Sequence, residues 1–175
     1  NVHISADMEG ALVNTLRFYV TTSTSKSIGD VGFENVYLSR MKCSVLRSGG
    51  VGVYLRSERS GASCGNVDGH IVCADEHTTH GALIWADVGT ITGVAMRVSG
   101  SINPTASGQY AIYVIEGSGT IDNLDLSVHV RNGAATALGA MVYVSGSPSG
   151  RIGPLVGTGS ITKDLLFSGT QPADL

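Results

Sequence analysis

The chain carries little charge, and the charge is not concentrated anywhere. Only 14% of its 175 residues are charged, the formal net charge is −3, and Lys and Arg form no cluster. Proteins that hold nucleic acids or anionic membrane surfaces electrostatically need a basic patch. The sequence therefore predicts no nucleic-acid partner. No apolar run approaches the length of a transmembrane helix, so no membrane insertion is predicted either.

Cysteine is also scarce. The three cysteines, Cys43, Cys64 and Cys73, are too few and odd in number for a disulfide framework. Cys73 follows an apolar segment, and we expect it to be a small buried hydrophobic residue. No Cys/His spacing matches a zinc site, so neither a metal nor a cofactor is predicted. Helical apolar periodicity is missing as well, which excludes a helical domain.

What the sequence does contain is two short phrases that recur about every 30 residues. The first is an apolar residue, any residue, Asn or Gly, and a short alternating run; it begins at Phe33, Val67, Ile91 and Ile121. The second is a three-residue apolar segment with an aromatic residue in the middle. Its central residues are Tyr19, Tyr54, Trp85, Tyr113 and Tyr143. Both are rich in Val, Ile and Tyr and bounded by turn formers, which is typical of strands. The repeat predicts a β-solenoid.

Strand alternation assigns an inside and an outside to the second phrase, because successive side chains point to opposite faces. The predicted interior residues are Val53, Leu55, Ile84, Ala86, Ile112, Val114, Val142 and Val144. The predicted outward ladder is Tyr54, Trp85, Tyr113 and Tyr143, with Leu83, Ala111, Ile115 and Met141 on the same face.

The first phrase predicts a corner in each coil. Asn35, Gly69, Gly93 and Asn123 occupy one position of the phrase. Asn and Gly tolerate positive φ, which a bend between two strands requires.

One domain is predicted for residues 1–175, with clear coils over about 16–145 and a coil or cap over 146–175. Alternation does not decide whether the phrase at Gly150 or the one at Gly159 continues the coils. The chain starts at Asn1 in strand-like alternation without an initiating Met, so we expect it to be a piece of a longer protein.

The segments 89–96 and 119–126, with Gly93 and Asn123 at the turn, resemble coils of the pectate-lyase-like superfamily. The resemblance covers about residues 16–145 and implies an all-β, right-handed, single-stranded parallel β-helix of about five to six coils. That superfamily includes pectin-degrading enzymes, bacterial adhesins and the trimeric tailspikes of bacteriophages, which bind and often cleave bacterial surface polysaccharides.

The aromatic ladder favours the tailspike or tail-fibre interpretation, because a contiguous exposed apolar patch marks an interaction surface. The ladder would pack against another subunit of a homotrimer or under loops, or it would stack against sugar rings. The implied function is host adhesion from the virion tail by binding a bacterial surface glycan, with or without degrading it. The alternative is a non-catalytic spacer or oligomerisation segment of a spike or of an adhesin on the bacterial cell surface.

A depolymerase would need suitably placed carboxylates. Glycosidases use two carboxyl groups about 5 to 10 Å apart, and neighbouring coils lie about 4.8 Å apart. Asp68 and Asp122 share one phrase position with Thr92 between them, which predicts two coil spacings and suits an inverting hydrolase. The same aspartates are also ordinary beside polar turns.

A second polar cluster runs from Cys73 to His80 and contains Asp75 and Glu76, in what is predicted to be a loop. A polysaccharide lyase would need a base of this kind. The remaining candidates, Asp125, Glu116, Arg97 and Arg131, would form a polar binding strip or surface ion pairs. Whether the chain is an enzyme, hydrolase or lyase, stays open at this stage.

Overall fold

The computed structural model describes residues 12–13, 16–21, 31–34, 37–38, 41–46, 53–57, 60, 63–77 and 79–168. Side chains are described for residues 53–57, 60, 67–73 and 79–168. All regular elements in these ranges are strands, and all paired strands run parallel. This confirms the predicted all-β parallel solenoid. No helix long and apolar enough to span a bilayer occurs in the described ranges.

The strands form two sheets. Sheet A has eight strands, namely β1 (Leu12–Val13), β2 (Leu16–Thr21), β4 (Tyr37–Leu38), β5 (Met41–Leu46), β7 (Ser63–His77), β9 (Thr90–Ile102), β11 (Thr120–Asn132) and β13 (Gly150–Gly159). Sheet B has six, namely β3 (Val31–Glu34), β6 (Val53–Ser57), β8 (Ala82–Ala86), β10 (Tyr110–Glu116), β12 (Ala140–Ser145) and β14 (Leu165–Ser168).

From β6 onward the chain alternates between the two sheets, so each pair of strands makes one coil. Thr90 pairs with Thr120, and one coil therefore takes 30 residues. The turns stack as the strands do, because Gly117 N–H donates to the Ala86 carbonyl at 2.8 Å and Ser118 N–H to the Asp87 carbonyl at 2.8 Å. The part of the chain with described side chains holds about three such turns.

The core lies between the two sheets. All eight predicted interior residues are buried, with no more than 1% of any of them exposed. Sheet A contributes a second set of buried side chains, which includes Ile91, Val94, Met96 and Val98. Each fully buried aliphatic side chain contributes about 1.5 to 3 kcal/mol. Cys73 is buried, as predicted.

The corner prediction is confirmed at two positions. Gly93 has φ 67° and Asn123 has φ 58°. Ile91 and Val94 are both buried although they lie three residues apart, which unbroken alternation would forbid. The left-handed residue between them therefore shifts the alternation by one and lets both sides of the bend point inward.

One other member of the predicted corner set does not fit. Gly69 pairs with Met96 inside sheet A, so it is not equivalent to Gly93. Asn66 takes that place, since its neighbours pair with those of Gly93. The phrase allowed this error because Asn66 and Gly69 are both turn formers three residues apart. Asn35 lies outside the described residues.

The N-terminal phrases are assigned to the wrong sheets by the sequence. Tyr19, the first central residue of the second recurring phrase, lies in β2 of sheet A opposite Ser44, whereas the other central residues lie in sheet B. Phe33, predicted to begin a corner phrase, lies in β3 of sheet B opposite Leu55. Short apolar strands share one local pattern, and only pairing decides which sheet they join.

The C-terminal ambiguity is also resolved. The phrase at Gly150 continues sheet A, because Gly150 pairs with Leu124. Leu165 pairs with Val142 and continues sheet B. The strands therefore extend the solenoid to Ser168.

Candidate functional site

The outer side of sheet B carries the aromatic residues, and we call it the aromatic face. One column runs through Tyr54, Leu83, Tyr113 and Tyr143, which pair in register. Trp85 is not in that column, because it pairs with Arg56 and Ile115. The predicted single ladder is therefore wrong by two residues at Trp85, although the face is right. An error of two residues in the alignment of a strand leaves each side chain on the same face of the sheet, because alternation has a period of two.

Three rings on this face form a continuous stack. The Tyr110 and Tyr143 rings lie 4.7 Å apart at 12°, and His80 stacks on Tyr110 at 5.4 Å and 16°. His80 Nδ1 also accepts a hydrogen bond from Tyr110 N–H at 3.1 Å. Tyr113 packs edge-on against Tyr143 at 5.0 Å. The broad ring faces are therefore largely used against one another, which leaves little flat surface for a sugar.

Burial changes the chemistry of these phenols. The pKa of Tyr110 is raised by loss of hydration and by the neighbouring Tyr143. The pKa of Tyr113 is raised by loss of hydration and by Tyr143 and Tyr110. Both hydroxyls therefore stay neutral to higher pH than a free tyrosine.

Trp85 is covered in a different way. The Arg56 guanidinium carbon lies 4.3 Å from the centre of the Trp85 ring. The same guanidinium is 2.6 Å from an Asp87 carboxylate oxygen. Tyr54 approaches Trp85 at 6.4 Å and 46°. A cation over an indole face is a favourable arrangement, and it occupies the surface that a ligand would use.

The apolar patch predicted on sheet B is smaller and less exposed than expected, because Leu83, Trp85, Tyr113, Ile115 and Tyr143 are half-buried. Met141 and Ala111, predicted to face outward, are buried. Gly157 and Ile161 come close to each other beside Met141, and the Met141 N–H donates to the Lys163 carbonyl at 3.1 Å, so the segment after β13 covers it. The large hydrophobic residues that are exposed in the described ranges lie elsewhere: Val72, Val88 and Val156.

The outer side of sheet A is polar and concave, and we call it the polar groove. Three adjoining concavities of about 320, 380 and 320 Å³ run along it. The first two share His70, Arg97 and Ser127, and the last two share Ser99 and His129. The groove therefore crosses β7, β9 and β11 and reaches β13.

Register sorts the side chains of the polar groove into columns along the solenoid. The first column is Asp68, Ala95, Asp125 and Arg151. The second is His70, Arg97 and Ser127. The third is Val72, Ser99, His129 and Val156. Equivalent positions are repeated at about 4.8 Å along the axis.

Two polar contacts organise the groove. His70 Nε2 lies 3.0 Å from Ser99 Oγ, which joins the second and third columns. Arg151 makes two hydrogen bonds to Asp125, one from Nε at 3.3 Å and a shorter one to the other carboxylate oxygen. Asp125 is also the cause of the raised pKa of Arg151.

The predicted carboxylate pair does not align. Asp68 pairs with Ala95, which pairs with Asp125, whereas Asp122 pairs with Thr92 on the other side of the corner. Asp122 instead accepts a hydrogen bond from Ser149 Oγ at 3.2 Å. The two aspartates that lie two coil spacings apart in one column are therefore Asp68 and Asp125, and both line the first concavity.

The other predicted groups fall in several places. Cys73 to His77 belong to β7 rather than to a loop, and the side chains of Asp75 and Glu76 lie outside those described. Glu116 accepts Ile121 N–H at 2.9 Å and Ser147 N–H at 2.7 Å, so it holds two turns together. Arg97 and Arg131 both line the groove. In the ranges searched, no three His, Cys, Asp or Glu residues converge as a metal site would require.

Comparisons of the chain with protein-family models, curated proteins and solved structures find no match. Part of the polar groove was predicted from the sequence, because Asp125, Arg97 and Arg131 were candidates for a polar binding strip and all three line it, but its concave shape was not predicted. Its outward residues were visible by alternation, but their columns depend on a register that only the pairing of β7, β9 and β11 supplies.

Proposed function

We propose that this chain is a right-handed β-helix segment, of about five to six coils, from a trimeric bacteriophage tailspike or tail fibre. It attaches the virion tail to a bacterial surface polysaccharide, which lies in the polar groove. The observation that carries the proposal is the extent of the groove, whose concavities each span neighbouring coils and adjoin one another along the strands.

An extended polymer suits such a groove better than a small molecule does. The groove offers the same positions at each coil, spaced about 4.8 Å apart, and a sugar unit in a polysaccharide is of similar length. Ser99, Ser127 and His129 supply hydroxyl and imidazole groups that can bond sugar hydroxyls. Val156, which is exposed beside them, offers an apolar contact for a sugar ring.

The binding test blocks the groove. Ser127→Trp places a large side chain between the first two concavities, and Ser118→Trp places the same side chain on an exposed turn as a control. On an array of bacterial surface polysaccharides, we expect the wild type and Ser118→Trp to bind and Ser127→Trp to lose binding. Equal binding by both variants would move the site out of the groove, and a wild type that binds nothing would contradict the proposal.

Degradation of the bound polymer is tested separately. Asp68 and Asp125 lie about 9.6 Å apart by coil spacing, close to the upper limit for the carboxylates of inverting glycosidases. Release of reducing ends by the wild type, lost in Asp68→Asn and in Asp125→Asn, would establish a hydrolase. Binding without release would leave attachment as the whole function.

The trimer is tested by mass in solution. We place the contact between subunits on the aromatic face, because its rings remain partly exposed in a single chain. Light scattering should give three times the chain mass for the wild type and a smaller mass for Leu83→Ser plus Trp85→Ser. A monomeric wild type would contradict the trimer.

The second candidate function is a non-catalytic spacer of a spike or adhesin. It is favoured by the short connections of residues 79–168, which have three residues at 87–89 and 117–119 and seven at 103–109 and 133–139. A spacer would assemble with its own kind and bind no polysaccharide on the array.

A further inference from the structure

Strand β11 ends at Asn132, which is the only asparagine in the sequence that is followed by glycine. Arg131 pairs with Ser101, so Asn132 occupies the position that Ile102 occupies one coil earlier. Ile102 is fully buried, and Asn132 is only 2% exposed. The fold therefore places a polar amide where the neighbouring coil has an aliphatic core residue.

An Asn-Gly sequence is prone to deamidation. The backbone nitrogen of the glycine attacks the side-chain carbonyl carbon of the asparagine, ammonia leaves, and a cyclic succinimide forms. Water then opens the ring to aspartate or isoaspartate. Glycine permits the attack because it has no Cβ and the widest choice of backbone angles. The other asparagines are followed by Val, Thr, Leu or Pro, whose side chains hinder the approach or, in proline, replace the N–H.

In the folded chain the Asn132 carboxamide is held by three hydrogen bonds. Nδ2 donates to the Thr136 carbonyl at 2.9 Å and to the Ser160 carbonyl at 2.6 Å. Oδ1 accepts a hydrogen bond from the Ala134 N–H at 2.8 Å. Both donor hydrogens and the oxygen of the amide are therefore engaged. Rotation of the carboxamide toward the next residue would break these bonds in a buried site, which is costly.

The attacking nitrogen is engaged as well. Gly133 is exposed, but its N–H donates to Asn103 Oδ1 at 3.0 Å. The nitrogen must lose this proton to attack, and the hydrogen bond holds the proton in place. Both partners of the reaction are therefore fixed by the folded structure, one by the next coil and the other by the preceding one.

The product of deamidation would not fit the folded chain. An aspartate carboxylate has no N–H donor and would face the carbonyls of Thr136 and Ser160. A buried charge without a partner is strongly destabilising. Isoaspartate carries the main chain through the side-chain carbon, which lengthens the backbone where Asn132 pairs with Gly159. Either product is compatible with the unfolded chain only.

We propose that Asn132–Gly133 is a latent deamidation site, whose reaction is suppressed by folding and whose conversion during an unfolding episode prevents the chain from folding again. The reaction consumes water, releases ammonia and needs no enzyme. Unfolding of the solenoid thereby becomes chemically irreversible with time.

The first test compares the two states of the wild type. The folded chain and the chain unfolded in guanidinium chloride are held at one mildly alkaline pH, and peptide mass spectrometry measures conversion at Asn132. Asn123, which is exposed but followed by leucine, is the internal reference. Conversion of Asn132 should be at least about tenfold slower in the folded chain, since an opening that costs about 1.4 kcal/mol reduces the reactive population tenfold. Equal rates in the two states would overturn the proposal.

Two variants of the preceding coil test the bond to Gly133. Asn103→Ala removes the acceptor of the Gly133 N–H and should raise the rate severalfold in the folded chain but not in guanidinium chloride. Gln109→Ala is the matched control, because it removes an amide that accepts the Thr105 N–H in the same connection, 103–109. It should convert at the wild-type rate. Acceleration by both variants, or by neither, would contradict the protecting role of Asn103.

The last test concerns the return to the folded state. Gly133→Ala should slow the reaction and keep the fold, because the added Cβ would lie 3.6 Å from Asn103 Oδ1, an ordinary contact distance. After ageing in guanidinium chloride, the wild type should lose refolding yield in step with conversion at Asn132, and Gly133→Ala should keep its yield. Asn132→Asp, which carries the product from the start, should lower the folded-to-unfolded ratio at least about a hundredfold. A stable Asn132→Asp chain, or equal losses in the two aged proteins, would overturn the proposal.

Discussion

On sheet B the outward side chains touch one another, whereas on sheet A they leave concavities between them. The reason is that the outward side chains of sheet B are large enough to fill the spacing between coils, whereas many of those on sheet A are not. Stacked rings such as Tyr110 and Tyr143 are 4.7 Å apart, close to the distance of about 4.8 Å between parallel strands. On sheet A, small residues such as Ala95, Ser99 and Ser127 stand beside long polar ones. The first arrangement buries apolar side-chain surface and stabilises the fold, and the second leaves polar surface accessible.

The largest expected effect comes from removing the central ring of the aromatic face. Tyr110→Ala takes away a ring that stacks on both His80 and Tyr143 and packs over Gly139, where an added Cβ would meet the ring at 2.9 Å. We expect a loss of about 2 kcal/mol in the free energy of unfolding, because the ring is only half-buried. Urea denaturation measures it. Tyr110→Phe keeps the ring and should cost much less; similar losses for both variants would contradict the stacking role.

A smaller effect should appear at alkaline pH. The pKa values of Tyr110 and Tyr113 are raised in the folded chain. As pH rises, the phenols of the unfolded chain ionise before those of the folded chain. The stability that the two neutral phenols contribute is therefore fully present below about pH 10 and is lost as the pH rises above it. Melting temperatures measured across this range should fall more steeply for the wild type than for Tyr110→Phe plus Tyr113→Phe. Parallel curves would show that these phenols do not contribute.

The smallest effect should come from an ion pair on the groove side. Arg151→Gln breaks an exposed pair with Asp125, and such pairs contribute little, so the melting temperature should stay unchanged. Arg56→Gln breaks the partly buried pair with Asp87 and uncovers Trp85, which should cost about 1 kcal/mol. Thermal unfolding of the two variants under one condition makes the comparison. Equal losses of stability for the two variants would contradict the prediction that the pair on the aromatic face contributes more than the exposed pair on the groove side.

Sequence patterns predicted the layering of this fold well and its columns poorly. The eight interior residues, from Val53 to Val144, were identified because alternation has a period of two and needs no partner strand. Trp85 was placed on the correct face and in the wrong column, since a slip of two residues leaves alternation intact. Asp68 was matched with Asp122 instead of Asp125 because its phrase was aligned on Gly69 rather than Asn66.

The covering of Met141 could not be predicted at all. Its local pattern matches that of an outward residue, and only the path of the chain after β13 buries it. The concave shape of the polar groove was missed for a related reason. Concavities arise where small and long residues become neighbours on different coils, which lie about 30 residues apart in the sequence.

Paired residues of β9 and β11 are always 30 positions apart in the sequence, as Thr90 and Thr120 are. This constant spacing gives the solenoid a simple way to change its number of coils. Each coil contacts only its neighbours, so a whole coil is a unit that can be copied or lost. Duplication of residues 90–119 would insert one more layer with its register intact and would lengthen the groove by about 4.8 Å. The size of the groove could thus evolve by gene-segment duplication, without a change in any single contact.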